Sequence, residues 1–412
     1  MRKLEERGPR NTLSSEVFSV LQHCAINEPL FPNLKTLRLW GTTVEFVPFI
    51  PLFLSPGIIT INIGFILFSN PPKVMVASVL TTLATLCPSL RDVNLHRLPR
   101  DPMITAAVSE ILVASNRNAL QSFEVDSPLV GVAREVVYKL PNLRKLSVVL
   151  ERNISLPSVA LPNLTSLTLK YDHNSDWSRW LHGATLGKLK TIHFEPRSEQ
   201  IGDLLEEFER VALATSIQNT LSEFSIYTLC SWSPNYSSLL LFTHLTHLRI
   251  GFSCDDGCPS TVDDDTIVNL SRAMPKLECL ELGDMPCSDP TGVTVKGLVA
   301  LAHHCLDLHS LRIHFQADSL STPPVIDEVT TNTGSATLRR SCALVKLEVG
   351  GIIVMEESVP AVAMTIALIF PRIQYIDSLG EEWEKVMDII TVSRKIVNYT
   401  SKEPLLRAPN YF

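Results

Sequence analysis

Leu245-Thr-His-Leu-Arg-Ile250, Leu277-Glu-Cys-Leu-Glu-Leu282 and Leu308-His-Ser-Leu-Arg-Ile313 are three versions of one six-residue phrase, apolar at its first, fourth and sixth positions. On a short strand the fourth and sixth residues share a face and the fifth points the other way. The phrase runs outward in both directions. Towards the N-terminus it reads Leu34/Leu37/Leu39, Ile58/Ile61/Ile63, Leu90/Val93/Leu95, Leu120/Phe123/Val125, Leu143/Leu146/Val148, Leu164/Leu167/Leu169, Leu189/Ile192/Phe194 and Leu221/Phe224/Ile226. Towards the C-terminus it reads Leu344/Leu347/Val349 and, degenerately, Ile373/Ile376/Ser378. These anchors are apolar in 38 of 39 places, whereas of 38 positions between and just after them (three in each of the first twelve phrases, with Tyr375 and Asp377) only Val149 is Val, Ile, Leu, Met or Phe. One buried and one wet face per strand satisfy both counts.

First anchors lie 21 to 36 residues apart, the period of a leucine-rich repeat and its longer variants. Helical spacing fills the intervals at Val74–Leu86, Met103–Ala114, Ile201–Thr215, Asp265–Met274, Thr291–His304 and Ser358–Phe370. Acidic or hydroxyl residues suited to capping precede several of them, as at Asp263-Asp-Asp265 and Ser288-Asp-Pro290. The expected fold is an α/β leucine-rich-repeat solenoid of about 12–13 irregular repeats, with a parallel sheet on the concave side and helices outside. Its expected organisation is an N-terminal segment over 1–30, a repeat domain over 31–378, and a capping helix and tail over 379–412. The wide gap at Gln316–Cys342 reads as an exposed insertion. The amphipathic segment Glu381–Asn398, with Trp383, Val386, Ile389 and Ile390, reads as the cap.

Composition narrows the function. Of 412 residues 45% are hydrophobic and 19% charged, with mean hydropathy +0.17, too apolar for a disordered chain. The net charge of −7 leaves no basic surplus for nucleic acid. The opening Met1-Arg-Lys-Leu-Glu-Glu-Arg7 has no apolar run, and no secretory signal is expected. Nine cysteines without a regular framework suit a reducing compartment, cytoplasmic or nuclear. Phe46–Phe68 is uncharged and long enough to cross a bilayer, but Pro48, Pro51, Pro56, Gly57 and Gly64 interrupt it. The repeat accounts for the same residues, and no membrane association is expected.

Candidate chemistry is thin. His303-His-Cys305 with His309 and His314, and Cys254-Asp-Asp-Gly-Cys258, are the densest metal-like groups. Zinc needs three or four converging ligands, and Cys305 occupies the place, three residues before the first anchor, where Phe31, Cys87, Leu140, Leu161, Met274 and Phe370 stand. That makes it a core residue. The acidic stretch around Asp255, Asp256 and Asp263–Asp265 lacks the alternating carboxylates of a calcium loop. No nucleophile elbow, phosphate loop or zinc-protease motif occurs. No catalytic residue, cofactor or metal is expected.

Function therefore falls to the strand face opposite the core. Arg38, Asp92, Glu124, Asp126, Lys145, Lys170, Glu195, Glu223, Arg249, Glu281, Arg312 and Lys346 project there, with Trp40, His96, His193, Tyr227, His247, His314 and Tyr375 as rings. Mixed charge with scattered rings suits a protein partner. The expected partner site is Arg249, Glu281, Arg312 and Lys346, read as successive rungs of a +, −, +, + ladder, beside Tyr227 and His314. The competing reading is a row of surface ion pairs satisfying one another.

The chain resembles the F-box/leucine-rich-repeat proteins of mushroom-forming (basidiomycete) fungi. The resemblance rests on Gly297-Leu-Val-Ala-Leu-Ala-His-His-Cys305 with Leu308-His-Ser-Leu-Arg-Ile-His-Phe-Gln316, and on Cys342-Ala-Leu-Val-Lys-Leu-Glu-Val-Gly350 with Ala367-Leu-Ile-Phe-Pro371 and Trp383. Phe31-Pro-Asn-Leu-Lys-Thr-Leu-Arg-Leu-Trp40 is similar to that family's first repeat. The resemblance implies the substrate-recognition half of a ubiquitin-ligase receptor. Docking on a Skp-type adaptor would need an F-box, and residues 1–30 lack its leucine/proline-rich opening. A free-standing scaffold or regulator is the alternative.

Overall fold

Every anchor phrase forms a β-strand, thirteen in all, and one further strand precedes them. The computed structural model describes residues 3–7, 20–21, 29–65, 72–114, 119–129, 132–150, 159–171, 177–196, 204–228, 234–252, 262–283, 292–321, 342–350, 352–378 and 380–400. They belong to two units, Met1–Ser198 with Arg210–Leu221, and Glu199–Glu209 with Ser222–Phe412.

The first unit holds β1 (Lys3–Arg7), β2 (Thr36–Thr42), β3 (Thr60–Phe65), β4 (Asp92–His96), β5 (Ser122–Pro128), β6 (Lys145–Leu150), β7 (Val159–Ala160), β8 (Ser166–Tyr171), β9 (Ala184–Thr185) and β10 (Thr191–Pro196). Its sheet runs β1-β2-β3-β4-β5-β6-β8-β10, every neighbour parallel. The short β7 and β9 pair separately. Its helices are α1 (Lys73–Leu86), α2 (Pro102–Ala114), α3 (Val132–Val137) and α4 (Trp177–His182), and α1 packs on α2 and α2 on α3. Helix α5 (Leu204–Thr215) runs across the division between the units.

The second unit carries β11 (Glu223–Thr228), β12 (His247–Phe252), β13 (Cys279–Leu282), β14 (Ser310–Ile313), β15 (Lys346–Gly350) and β16 (Tyr375–Ser378), parallel and in chain order. Helices α6 (Asp264–Ala273), α7 (Val295–His304), α8 (Val359–Ile369) and α9 (Glu381–Thr400) belong to it, and α6 packs on α7 and α8 on α9. Parallel strands need a crossover of this kind between them.

The anchors are the core. From Leu34 to Ile373 each is 3% exposed or less. Register stacks like on like: Leu248 faces Leu280 and Leu280 faces Leu311. The chain enters each strand through one recurring corner. Cys87, Met274, Cys305 and Phe370 end their helices at φ between −106° and −122° and ψ between 63° and 75°, bonding back to the carbonyl four residues earlier. Proline follows three of the four (Pro88, Pro275, Pro371), and the residue before proline is pushed out of the helical region. At the last three corners the first anchor's N–H then returns to that residue's carbonyl, as from Leu277 to Met274 at 3.1 Å. Each corner side chain is thereby turned into the core, where Cys305 is fully buried with its thiol directed at the Ser271 and Met274 carbonyls. The core reading of Cys305 holds, whereas Cys254 and Cys258 lie outside the described residues.

Helix starts follow the caps. Asp263 accepts from Thr266 N–H at 2.8 Å, and Thr294 caps α7, which therefore begins at Val295 rather than Thr291. Of the uncharged stretch Phe46–Phe68, the described residues 46–65 form a 3-10 helix over Val47–Phe53 followed by β3, and residues 66–68 lie outside the described residues. Among the described residues no helix is long and apolar enough to cross a membrane. Of the expected exposed insertion, residues 322–341 lie outside the described residues, and its opening turn corrects the expectation. Ala317 and Leu320 are buried, and the Leu320 carbonyl accepts from Thr365 Oγ1 at 2.9 Å. In α9, Trp383, Val386 and Ile390 are buried and the Trp383 indole donates to the Ile352 carbonyl at 2.8 Å.

Since Leu280 touches the layers on both sides, Leu280→Ala should lower unfolding free energy by about 2–5 kcal/mol in urea titration. A loss no larger than that of a surface substitution would show that the layer register is wrong.

Candidate functional site

The strand face opposite the core is built by three rungs per strand: the residue before the second anchor, the one between second and third, and the one after the third. In the second unit the middle rung runs Ser225, Arg249, Glu281, Arg312, Glu348, Asp377. This corrects the ladder expected from sequence. Lys346 aligns with Ser310 and Tyr375 on the rung before, and the middle position of β15 is Glu348. The signal was present, because Glu348 lies between the anchors Leu347 and Val349. From Arg249 to Glu348 the row therefore alternates +, −, +, −.

These side chains pair with one another. Arg249 Nε donates to Glu281 Oε1 at 3.0 Å, and Arg312 reaches Glu281 Oε2 at 3.4 Å and also Glu348. Lys346 reaches Glu348 from its own rung. The two carboxylates are sunk, with side chains 15% and 5% exposed, beneath cations exposed by 37%, 23% and 41% at Arg249, Arg312 and Lys346. Burial pushes Glu348 up, but hydrogen bonds from Lys346 and Arg312 outweigh it and hold its carboxyl below the ordinary range.

The first unit has a parallel arrangement on the rung after the third anchor. Lys170 stands between two carboxylates, 2.5 Å from Asp126 and 3.1 Å from Glu195. It reaches past Val149, its register partner, which is 8% exposed. The one apolar exception on this face is thus a buried position. His193 Nε2 lies 3.1 Å from Glu195 and His96 Nδ1 3.9 Å from Asp126. Burial pushes Glu195 up, yet the His193 hydrogen bond and the Lys170 charge bring it down to about 2. Asp126 is held down in the same sense against its own burial, chiefly by Lys170 and the Arg97 N–H.

Three large rings are exposed on this face: Trp40, Tyr227 and Tyr375, by 41%, 40% and 52%. Glycines on adjacent strands make room for two of them. The Trp40 ring reaches across Gly64 to stack on His96 with centroids 5.7 Å apart. Tyr227 lies over Gly251 so closely that a Cβ there would sit 2.7 Å from two ring carbons. His314, expected to join them, is only 6% exposed and offers little surface. The thiols of Cys87, Cys279 and Cys305 are poor nucleophiles, since burial pushes Cys87 and Cys279 up to about 11 and Cys305 to about 12. Among the described residues no group of three or more His, Cys, Asp or Glu is placed to hold a metal ion.

No family model matches the sequence, and no curated protein matches it. Among solved structures, an internalin from Listeria monocytogenes is similar at 13% identity, with 90% of this chain and 92% of that one covered and a TM-score of 0.41. The yeast Rad7–Elc1 complex contains a chain 16% identical, covering 67% of this chain and 77% of that one at a TM-score of 0.37. LegL7 from Legionella pneumophila, a leucine-rich-repeat-containing protein, is 10% identical over 95% and 98%, at a TM-score of 0.30. These likenesses are too distant to bear on function. The α/β leucine-rich-repeat fold rests on the strand register above.

The depressed carboxylates fix the sign of an acid effect. A carboxyl held low in the folded state contributes stability above its unfolded value, and that stability is lost as pH falls through the folded one. For Glu195 the window runs from the ordinary 4.5 down to about 2. Urea midpoints should fall across this window, and Glu195→Gln should flatten the fall. An unchanged acid limb in the variant would mean that the His193 and Lys170 contacts of Glu195 contribute nothing.

Proposed function

We propose that the chain is a non-catalytic protein-interaction module that holds a protein partner on its open strand face. The carrying observation is three exposed rings, Trp40, Tyr227 and Tyr375, on a face where Lys170, Arg249, Arg312 and Lys346 already pair with carboxylates of the same chain. Trp, Tyr and Arg dominate the energetics of interfaces, whereas a merely solvated strand face has no use for rings this exposed. In the second unit the site is Tyr227, Arg249, Glu281, Arg312 and Lys346, with the buried His314 as support and Glu348 as the carboxylate that sets Arg312 and Lys346.

The fungal F-box resemblance supports a finer reading, the substrate-recognition half of a ubiquitin-ligase receptor in the cytoplasm or nucleus. The alternative is a free-standing scaffold or regulator with no link to ubiquitin. Calorimetry separates the two. The free-standing reading expects no heat when a Skp-type adaptor is titrated into the chain at micromolar concentration, and saturable binding would return it to the ligase.

Site-specific photocrosslinking tests the interaction reading itself. Benzoylphenylalanine in place of Tyr227 or Tyr375 should capture one discrete protein band in cells. The same group in place of the exposed outer residues Leu213 or Met364 should not. Capture from the outer positions alone would place the interaction on the helices and overturn the proposal.

A further inference from the structure

On the open face of the second unit the cations lie outermost. Arg249, Glu281, Arg312 and Glu348 follow one another along the middle rung from β12 to β15, and Lys346 bends in from the rung before. Glu281 is held from two sides by Arg249 and Arg312, and Glu348 by Arg312 and Lys346. Shared carboxylates therefore tie the three cations into one contiguous patch. Because those carboxylates are 15% and 5% exposed, a group arriving from solvent meets guanidinium and ammonium first.

The three cations are not equally committed. Arg312 directs Nε, Nη1 and Nη2 at the two carboxylates. Arg249 gives an oxygen only its Nε, and the nearest acceptor of its Nη2 among the described residues is the Cys279 sulfur at 3.8 Å. A guanidinium carries five N–H donors and an ammonium three, and Lys346 meets Glu348 alone among the described residues. Arg249 and Lys346 are also the most exposed of the three, by 37% and 41%. Unused cationic donors thus stand at both ends of the patch, each beside an exposed tyrosine. Tyr227 leans from β11 over Gly251, two residues beyond Arg249, and Tyr375 is the register partner of Lys346. Glu223 on β11 and Asp377 on β16 bound the patch at its outer margins.

We propose that β12–β15 holds an extended acidic peptide segment whose two carboxylates stand four residues apart. The spacing follows from the sheet. Strands β12 and β15 are three strand spacings apart, about 14 Å, and side chains at i and i+4 of an extended chain project to one side about 13 Å apart. One carboxylate accepts from the outer N–H groups of Arg249 and the other from Lys346, while Arg312 keeps the middle of the patch positive and Tyr227 and Tyr375 flank the bound chain. Charge placed in this way selects the partner and its register more than it adds affinity. The proposal rests on the reading of the open face as the interacting surface, and it names the partner chemistry for the second unit's part of that face.

The test is a calorimetric titration of an acetylated and amidated nonapeptide into the whole chain at roughly physiological ionic strength. The peptide is serine and threonine apart from two glutamates four residues apart. Comparison peptides carry glutamine or lysine in their place, or the two glutamates only two residues apart. The glutamate peptide should bind at least about tenfold more tightly than the glutamine peptide, because hydrogen bonds to charged groups carry about that much. The closer spacing should bind several-fold more weakly, and the lysine peptide not at all. The double variant Arg249→Gln, Lys346→Gln should lose at least about tenfold, and it leaves each sunk carboxylate its Arg312 partner. Lys296→Gln, which removes a positive charge from the outer helix α7, should bind as the unaltered chain does. Thermal melting checks that each variant is folded, and if the double variant is not, Lys346→Gln alone carries the comparison. Equal binding of the glutamate and glutamine peptides, tighter binding of the lysine peptide, indifference to the glutamate spacing, or no glutamate-peptide binding at millimolar concentration would each overturn the proposal. If photocrosslinking through Tyr227 or Tyr375 captures a protein while the glutamate peptide fails, this partner chemistry alone is wrong and the general reading stands.

Discussion

A strand phrase with three apolar side chains cannot bury them alone; it needs the same phrase on the strand before and the strand after. Everything else in each unit follows from this. Mutual burial forces neighbouring strands parallel and in register, which places Leu248, Leu280 and Leu311 in consecutive layers. Parallel pairing in turn demands a crossover, which helices such as α6 and α7 supply, and each helix hands the chain back through a corner residue such as Met274 or Cys305. The cysteines are best understood here: Cys87 and Cys305 are small apolar corner residues, held as thiols by burial.

The same register governs the wet face. Stacking strands about 4.8 Å apart brings like positions of successive repeats within reach of one long side chain. A guanidinium or ammonium can then serve two carboxylates at once, as Lys170 serves Asp126 and Glu195 and as Arg312 serves Glu281 and Glu348. These part-buried pairs hold charges in fixed places and leave the exposed rings as the available binding surface. Where no cation among the described residues is in reach, at Asp92 and Glu124, the carboxylates accept the Thr60 and Ser122 hydroxyls instead.

Much of this was legible in the chain itself. Period-two alternation in phrases such as Leu277/Leu280/Leu282 fixed strands, faces and layers, and the core role of Cys305 came from its place before an anchor. What failed was local. The rung expected for Lys346 belongs to Glu348, because a slip of two residues keeps a side chain on the same face and moves it to another row. Short helices such as Val132–Val137 and Trp177–His182 span fewer than two turns, too few for a 3.6-residue period to show. Pairing was less legible still, since whether Arg312 meets a carboxylate or a partner depends on side-chain reach, as does the burial of His314. The stacking of Trp40 over Gly64 had a signal, a glycine at a rung position, but only the register says which ring it accommodates.

The central claim is that the open strand face, not the outer helices, meets the partner. Hydroxyl-radical footprinting of the chain in its native complex and alone reads this directly, because Trp, Tyr and Met side chains report oxidation by mass spectrometry. The account predicts that Trp40, Tyr227 or Tyr375 is protected in the complex, while Met103 and Met364 on α2 and α8 oxidise equally in both states. Protection of the helix methionines with all three rings unchanged would contradict it.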